Sequence, residues 1–386
     1  MKNERKKKMP VYVSAVDSYQ ENRIKEEVVK ALDDLNISLK GKKTAFLKPN
    51  IVVPASPDST VITHPTIVEA VIEVLREGGI ERIVVGEGVG VGQDVKACFE
   101  KSGYRELCER LNVELSDLDK EERLEVDWKF GKLKLPKVVL ESDFYVNLAK
   151  MKTHGQSMVT LSMKNQKGLL LPQDKRNFHV RWGLHEPIVE LAKVVKPDIV
   201  VVDGIEGMEG EGPLKGKKKK PGALIFGNNQ LEVDATCCQI MNIPPEKVEH
   251  LRIGEERGIG KLNPKIIGEE INKVSTPFQE ANQEFGHVLN IYSWRNPYAC
   301  SMCIQNFSEA IKMAVLKPRY WYKIPKLAYY TLWSKLHLIQ GRDACLPDQK
   351  GRIICMGKCT KEIAESHGYT HIEGCPPKPR DILEKL

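Results

Sequence analysis

No uninterrupted apolar run in this sequence reaches the ~18–20 residues that a helix needs to cross a bilayer, so a helical membrane span is not expected. The opening MKNERKKKMP is basic with no apolar stretch behind it, which does not fit a secretory leader. Residues 1–9 read instead as a solvated basic tail on a soluble, cytoplasmic protein. Aromatic residues make up only 6% of the chain. The net charge is +7 with an isoelectric point near 8.7, yet lysine and arginine are not interleaved with aromatics on one element, as a nucleic-acid footprint requires. Lys217–Lys220 sits between Gly216 and Pro221 and reads as an exposed loop tip, so no nucleic-acid partner is expected. The glycine-rich turn Gly86–Gly92 lacks the G-x-G-x-x-G spacing of dinucleotide sites. It offers backbone N–H groups to an anion, but Glu87 would repel a phosphate at close range.

The chain does have a full α/β pattern. Val11–Val16, Thr44–Leu47, Arg82–Val85, Phe144–Asn147, Ile199–Val202 and Ala223–Phe226 read as strands. Helices are predicted at Asn22–Leu35, from His64 to Glu77, from about Gln93, at Leu184–Val194 and at Gln230–Met241. Strands separated by helix-length segments imply βαβ units and predict a doubly wound, mostly parallel sheet with helices on both faces. A small antiparallel insertion is expected near 111–140. The expected domains are an α/β domain over 10–260, a connection over 261–290, and a cysteine-rich, metal-binding region over 291–386. The Tyr-, Trp- and Lys-rich stretch Lys317–Leu338 is expected to pack into a core, with contact to a membrane surface or a partner as the alternative.

Ten cysteines without a leader argue against a disulfide framework, because the cytosol keeps thiols reduced. Six of them lie after residue 299, which makes metal ligation the first reading of that region. Cys300 and Cys303 form a C-x-x-C pair, and two thiolates so spaced reach one metal without straining the chain. Cys359 follows Gly357, whose turn would present backbone N–H groups to cluster sulfurs. Cys375 precedes a proline, a recurrent setting for cluster ligands. These four are the expected ligands, with Cys355 able to replace Cys359. A 4Fe–4S cluster is the expected cofactor. Structural zinc is the alternative, although it prefers two short C-x₂₋₄-C knuckles and the last two ligands here lie sixteen residues apart.

Ligands of open α/β sheets bind at the carboxyl ends of strands. The densest polar run of the chain, Asn147 to His154, begins there and carries Lys150, Lys152 and Thr153 beside His154. His154 is the candidate proton-transfer group, since a neighbouring ammonium favours neutral imidazole. Lys150 and Lys152 complete the candidate catalytic set. Lys48, Asn50, Thr63, His64, Asn147, Thr153, Lys164, Asn165, His179, Asp203 and Glu209 are the candidate substrate contacts.

The motifs Leu47-Lys48-Pro49-Asn50, Thr63-His64-Pro65, Asn147 through His154, Met163-Lys164-Asn165, and Val202-Asp203-Gly204 with Met208 through Pro213 resemble the domain-of-unknown-function 362 family across roughly residues 10–260. That resemblance implies an association with iron–sulfur ligands. Members with a ferredoxin run of C-x-x-C-x-x-C-x-x-x-C-P differ from this chain, whose dispersed set implies one cluster rather than two. The α/β domain also resembles, more loosely, the lactate-racemase fold.

Three functions follow from these residues. The first is a redox enzyme or electron-transfer protein acting on a small anionic substrate, with a redox protein as partner. The second is a non-redox racemase or isomerase with a structural zinc site. The third is a non-catalytic carrier of a cluster or an anion. A homodimer is compatible with each.

Overall fold

The computed structural model describes residues 10–155, 157–210, 212–214, 216–280, 290–295, 302–341, 344, 346–347, 350–374 and 376–386. The chain forms two units, one of residues 1–154 and 159–279, the other of residues 155–158 and 280–386.

The first unit is built on one large sheet. From edge to edge its strands run Ile266–Gly268, Val11–Ala15, Ala223–Gly227, Ile199–Glu209, Phe144–His154, Thr44–Lys48, Arg82–Glu87 and Glu114–Asp117. The last five of these are mutually parallel, whereas Ala223–Gly227 is antiparallel to both of its neighbours. Near-continuous apolar runs such as Ile199–Val202 suit strands of a parallel sheet, whose two faces are both covered. In a parallel array the carboxyl ends share one edge. Lys48 and Glu87 are the last residues of their strands, and Lys150 and Asp203 are in register on adjacent strands.

The helix Pro65–Glu77 begins with proline in its first turn, as the sequence predicts, but its N-cap is His64 rather than the expected Thr63. It lies beside the helix Glu21–Asp34, and both bury aliphatic faces in the main core with Ile24, Val28, Ile67, Val71 and Leu75. The expected insertion is the hairpin Arg123–Trp128 with Gly131–Pro136. Trp128 meets Phe130, Phe178 and Trp182 in an aromatic cluster. Lys217–Lys219, expected as a loop tip, instead pairs with Ile199–Glu209. Lys218 and Lys219 are tied there by Glu206 and Glu209.

The second unit has its own parallel sheet, ordered Ile291–Arg295, Leu336–Gln340, Arg352–Met356 and Thr370–Ile372. The helix Met302–Leu316 contributes Phe307, Ala310 and Ala314 to a core with Leu336, Leu338, Ile354 and Met356. The expected core packing of the aromatic stretch holds on one side only. Of the aromatic stretch, Tyr320, Leu327 and Tyr330 are buried, but Trp321, Tyr322, Tyr329, Leu332 and Trp333 are exposed. The segment is apolar on both sides, so its composition does not reveal that only one side is covered. No described helix is long and apolar enough to cross a membrane.

Candidate functional site

The carboxyl edge of the first unit's sheet holds lysines withdrawn from water. Lys48, Lys150 and Lys152 are each at most 1% exposed, and burial pushes all three amines down. Their partners differ. The Lys150 Nζ lies 2.8 Å from the Asp203 Oδ2 and 2.9 Å from the Tyr19 hydroxyl. Tyr19 in turn donates to the Asp203 Oδ1 at 3.0 Å, and the His64 backbone N–H donates to the Oδ2 at 3.0 Å. The Tyr19 ring stacks on His64 at 3.8 Å. Burial, then Asp203, raises the Tyr19 hydroxyl, which holds it as a donor. Burial lowers the His64 imidazole, whose Nδ1 accepts the Thr66 N–H as a helix cap.

Lys48 faces Glu87 at 2.9 Å, with the side chains 0% and 3% exposed. The backbone N–H groups of Ile51 and Gly88 also donate to Glu87. Burial pushes this carboxyl up, and the Lys48 ammonium opposes that shift. The glycine-rich turn therefore cradles a carboxylate of the chain itself. Lys175 braces the turn by donating to the carbonyls of Gly88 and Val89. Gly168 packs against this ion pair so closely that a Cβ there would collide with both charged ends.

Lys152 has no carboxylate partner among its described contacts. Its Nζ donates to the Asn50 Oδ1 at 2.6 Å and to the Val61 carbonyl at 2.8 Å. Burial, reinforced by the Lys150 charge, lowers its pKa to about 7. From Asn50 a line of amides continues. The Asn50 Nδ2 donates to the Asn165 Oδ1, the Asn165 Nδ2 to the Asn147 Oδ1, and the Asn147 Nδ2 to the Ser162 carbonyl. The Ser162 hydroxyl and the N–H groups of Ser162 and Met163 donate to Asp234, whose carboxyl burial raises to about 7.

Beyond this line lies Lys164, 3.4 Å from the Thr160 Oγ1. Burial, with Lys167 and Lys152 adding repulsion, drives its amine well below the usual value. Lys167 falls to about 7 by burial. His185 and His250 stack with ring centres 5.8 Å apart, and the His185 Nε2 is 3.4 Å from Glu249. His185 Nδ1 and both ring nitrogens of the fully buried His250 have no hydrogen-bond partner among the described residues. Burial lowers both imidazoles, and the Lys164 charge adds to the effect.

The expected residues divide accordingly. Lys48, Asn50, Asn147, Lys152 and Asn165 form one connected network, with Thr63 accepting the Asn50 N–H and donating to the Leu148 carbonyl. Lys150, His64 and Asp203 form a second. Thr153 bonds the carbonyls of Met208 and Gly210, while Glu209 accepts the Gln279 N–H and pairs with Lys219, so both fasten a loop. His154 ends its strand half-buried. The side chain of His179 lies outside the described residues. Sequence reasoning missed Tyr19 and His250 and did not see Glu87 as a partner of Lys48. Asp234, which anchors Ser162 and Met163, was not among the expected site residues.

In the second unit, Cys300, Cys345 and Cys375 lie outside the described residues. A methyl group at Gly357 would be 3.2 Å from the Cys303 Sγ, 3.6 Å from the Cys359 Sγ and 3.5 Å from the carbonyl of Gly374, the residue before Cys375. Gly357 has φ +94°, a conformation that favours glycine. Its N–H and that of Lys358 donate to the carbonyls of Ile372 and Gly374, not to sulfur as expected. Cys355 packs with Ile339, Ala344 and Ala364, and burial pushes its thiol up to about 11.

A family model for the domain of unknown function DUF362 matches residues 46–239, half of the chain. The chain belongs to the DUF362 family. It is 28% identical to the thylakoid-associated protein sll1697 of Synechocystis sp. over 224 residues, 57% of this chain and 68% of that protein. Among solved structures, the lactate racemase apoprotein of Thermoanaerobacterium thermosaccharolyticum is 14% identical with a TM-score of 0.41, covering 94% of this chain and 87% of that one. A Thermotoga maritima protein of known crystal structure is 13% identical with a TM-score of 0.38, covering 63% and 60%. The DUF362 span includes Lys48, Glu87, Lys152, Asn165, Asp203 and Asp234, but ends before His250 and begins after Tyr19.

Breaking a buried ion pair strands a charge, whereas replacing both partners by apolar groups does not. Asp203→Leu is expected to lower the unfolding free energy by about 3–5 kcal/mol, and adding Lys150→Met to restore most of it, measured by urea unfolding followed by circular dichroism. Lys152 carries a pH signature. A lysine in the unfolded chain titrates near about 10.4, but in the fold near 7. Between those values the unfolded chain binds the extra proton, so stability falls as pH is lowered through that window and levels off below about 7. Lys152→Met is expected to flatten the curve of melting temperature against pH across that window.

Proposed function

We propose that this DUF362 chain is an iron–sulfur protein acting on a small anionic substrate, with Cys300, Cys303, Cys359 and Cys375 as cluster ligands. The observation that carries this reading is the approach of the Cys303 and Cys359 thiols to Gly357, beside the backbone that leads into Cys375. Thiolates at such a point suit a Cys₄ cluster, and glycine leaves them room. Cys355, on the opposite face of its strand, belongs to the core. Bound there, a cluster would supply one-electron chemistry. A reducing compartment, the cytoplasm, suits such a thiol set.

The first unit's residues support the anionic substrate. Lys48 and Lys150 are neutralised by Glu87 and Asp203, so they hold strand ends in place. Lys152, Lys164, Lys167, His185 and His250 form the basic group that lies beyond those carboxylates. An entering anion would favour the charged forms of these groups and take up the unpartnered N–H positions of the imidazoles. Lys152, fixed by Asn50 and the Val61 carbonyl, exchanges a proton at Nζ near neutrality. That property favours a second reading, non-redox proton transfer beside a carboxylate as in a racemase or isomerase, because general bases work best with a pKa near the operating pH.

Two measurements separate these readings. Anaerobically purified protein is expected to hold about four irons and four sulfides per chain. Cys359→Ser should lose the iron, and Cys355→Ser should keep it; one zinc with no iron would replace the redox reading. Incubation with small 2-hydroxy and 2-amino carboxylates in D₂O, followed by NMR, tests the other. A proton-transfer enzyme is expected to wash out an α-carbon hydrogen at a rate rising with pH to a plateau above about 7, and Lys152→Met to slow this by about 10²-fold or more.

A further inference from the structure

Apolar side chains without cover are concentrated on one segment of the second unit. Leu316 and Trp333 are each 74% exposed, Tyr322 68%, Val315 57%, Trp321 55%, Leu332 54%, Tyr329 53% and Ile324 38%. Elsewhere among the described residues only Val29, Val91, Leu140 and Leu214 are exposed to that degree, and they are scattered. The eight lie on the end of the helix Met302–Leu316, on the short helical turns Pro318–Lys323, and on and just after the helix Ile324–Leu332.

The segment has two apolar sides. Tyr320, Leu327 and Tyr330 point into the core, while Tyr322, Tyr329, Leu332 and Trp333 face outward. A helix that is apolar all round has a second surface to bury. The outward rings are held in place, since the Trp321 Nε1 donates to the Val315 carbonyl at 3.1 Å and Tyr329 packs edge-on to Tyr330 at 5.6 Å.

The charges within the segment itself have one sign, the nearest acids, Glu309 and Glu384, lying on neighbouring turns. Between residues 310 and 341 the chain has Lys312, Lys317, Arg319, Lys323, Lys326 and Lys335 and no aspartate or glutamate. Lys317, Arg319 and Lys326 are exposed and make no ion pair among the described residues. A second copy docking symmetrically here would set these cations against their own equivalents. A surface that is apolar below and anionic above meets both features. Trp and Tyr prefer the headgroup level of a bilayer, and lysine and arginine near it are drawn to anionic lipid.

We propose that the face formed by Val315–Trp333 docks the protein on an anionic lipid surface, as a peripheral attachment lying in the interface. The aliphatic and aromatic side chains would enter the headgroup boundary while Lys317, Arg319 and Lys326 contact phosphates. This attachment is independent of the chemistry proposed for either unit.

Flotation of the full-length protein with phosphatidylcholine vesicles, with and without an equal part of phosphatidylglycerol, tests the proposal. The expected result is co-flotation with the anionic vesicles alone, a blue shift of tryptophan emission, and release by salt. The pair Trp321→Ser/Trp333→Ser, and separately the triple Lys317→Glu/Arg319→Glu/Lys326→Glu, should each weaken binding at least about tenfold. Circular dichroism checks that the fold is kept. Absence of flotation at low salt, or binding that neither variant changes, would overturn it. So would a dimer in solution that the tryptophan variant dissociates, since the face would then be covered by a second copy.

Discussion

Keeping an ammonium out of water is the constraint on which the first unit's site depends, because the desolvation of a charge is far larger than any single contact. Lys48, Lys150 and Lys152 all bear it, and the structure answers it in two ways. Two of the amines are given a carboxylate, and each carboxylate is in turn given further donors, from Ile51 and Gly88 or from Tyr19 and His64. The third is given only oxygens of an amide and a carbonyl. That difference separates two amines paired with carboxylates from one whose pKa burial lowers to about 7. A sheet edge that placed three lysines without this division would be either a rigid salt lattice or a cavity of mutually repelling cations.

Much of this was legible in advance, and the reason is local. Strand and helix periodicities come from neighbouring residues, as does the clustering of polar residues after Phe144, so the edge of the sheet where they gather followed from the βαβ pattern. The partners were not legible, because they depend on strand order. Tyr19 reaches Asp203 across 184 residues and Lys48 reaches Glu87 across 39. Seen alone in its turn, Glu87 looks like an obstacle to anions. With Lys48 on the adjacent strand it becomes a structural counter-ion. His250 gave no sequence signal at all, being one imidazole on an ordinary amphipathic helix.

The second unit illustrates the same limit on a smaller scale. Cys355 and Cys359 are four residues apart, and composition treats them alike. The strand Arg352–Met356 turns Cys355 toward Ile339 and Ala364, and the positive φ of Gly357 then redirects the chain so that Cys359 lies near Cys303. Apolar content likewise says that the segment from Val315 to Trp333 must bury something, but which of its two sides meets the core depends on where the neighbouring sheet stands.

The amide line from Lys152 to Ser162 has a direction. Each of Asn50, Asn165 and Asn147 accepts on its oxygen from the Lys152 side and donates from its nitrogen toward Ser162. Three side-chain dipoles are thereby aligned head to tail, with their negative ends toward the amine. Such an array acts as a small fixed field that favours the protonated amine, and hydrogen bonds in series strengthen one another. No member can rotate by half a turn alone, since its oxygen would then face an oxygen and its amide group an amide group. The proton affinity of Lys152 is thus written partly in the orientation of Asn147, two links farther along the line than the residue it touches.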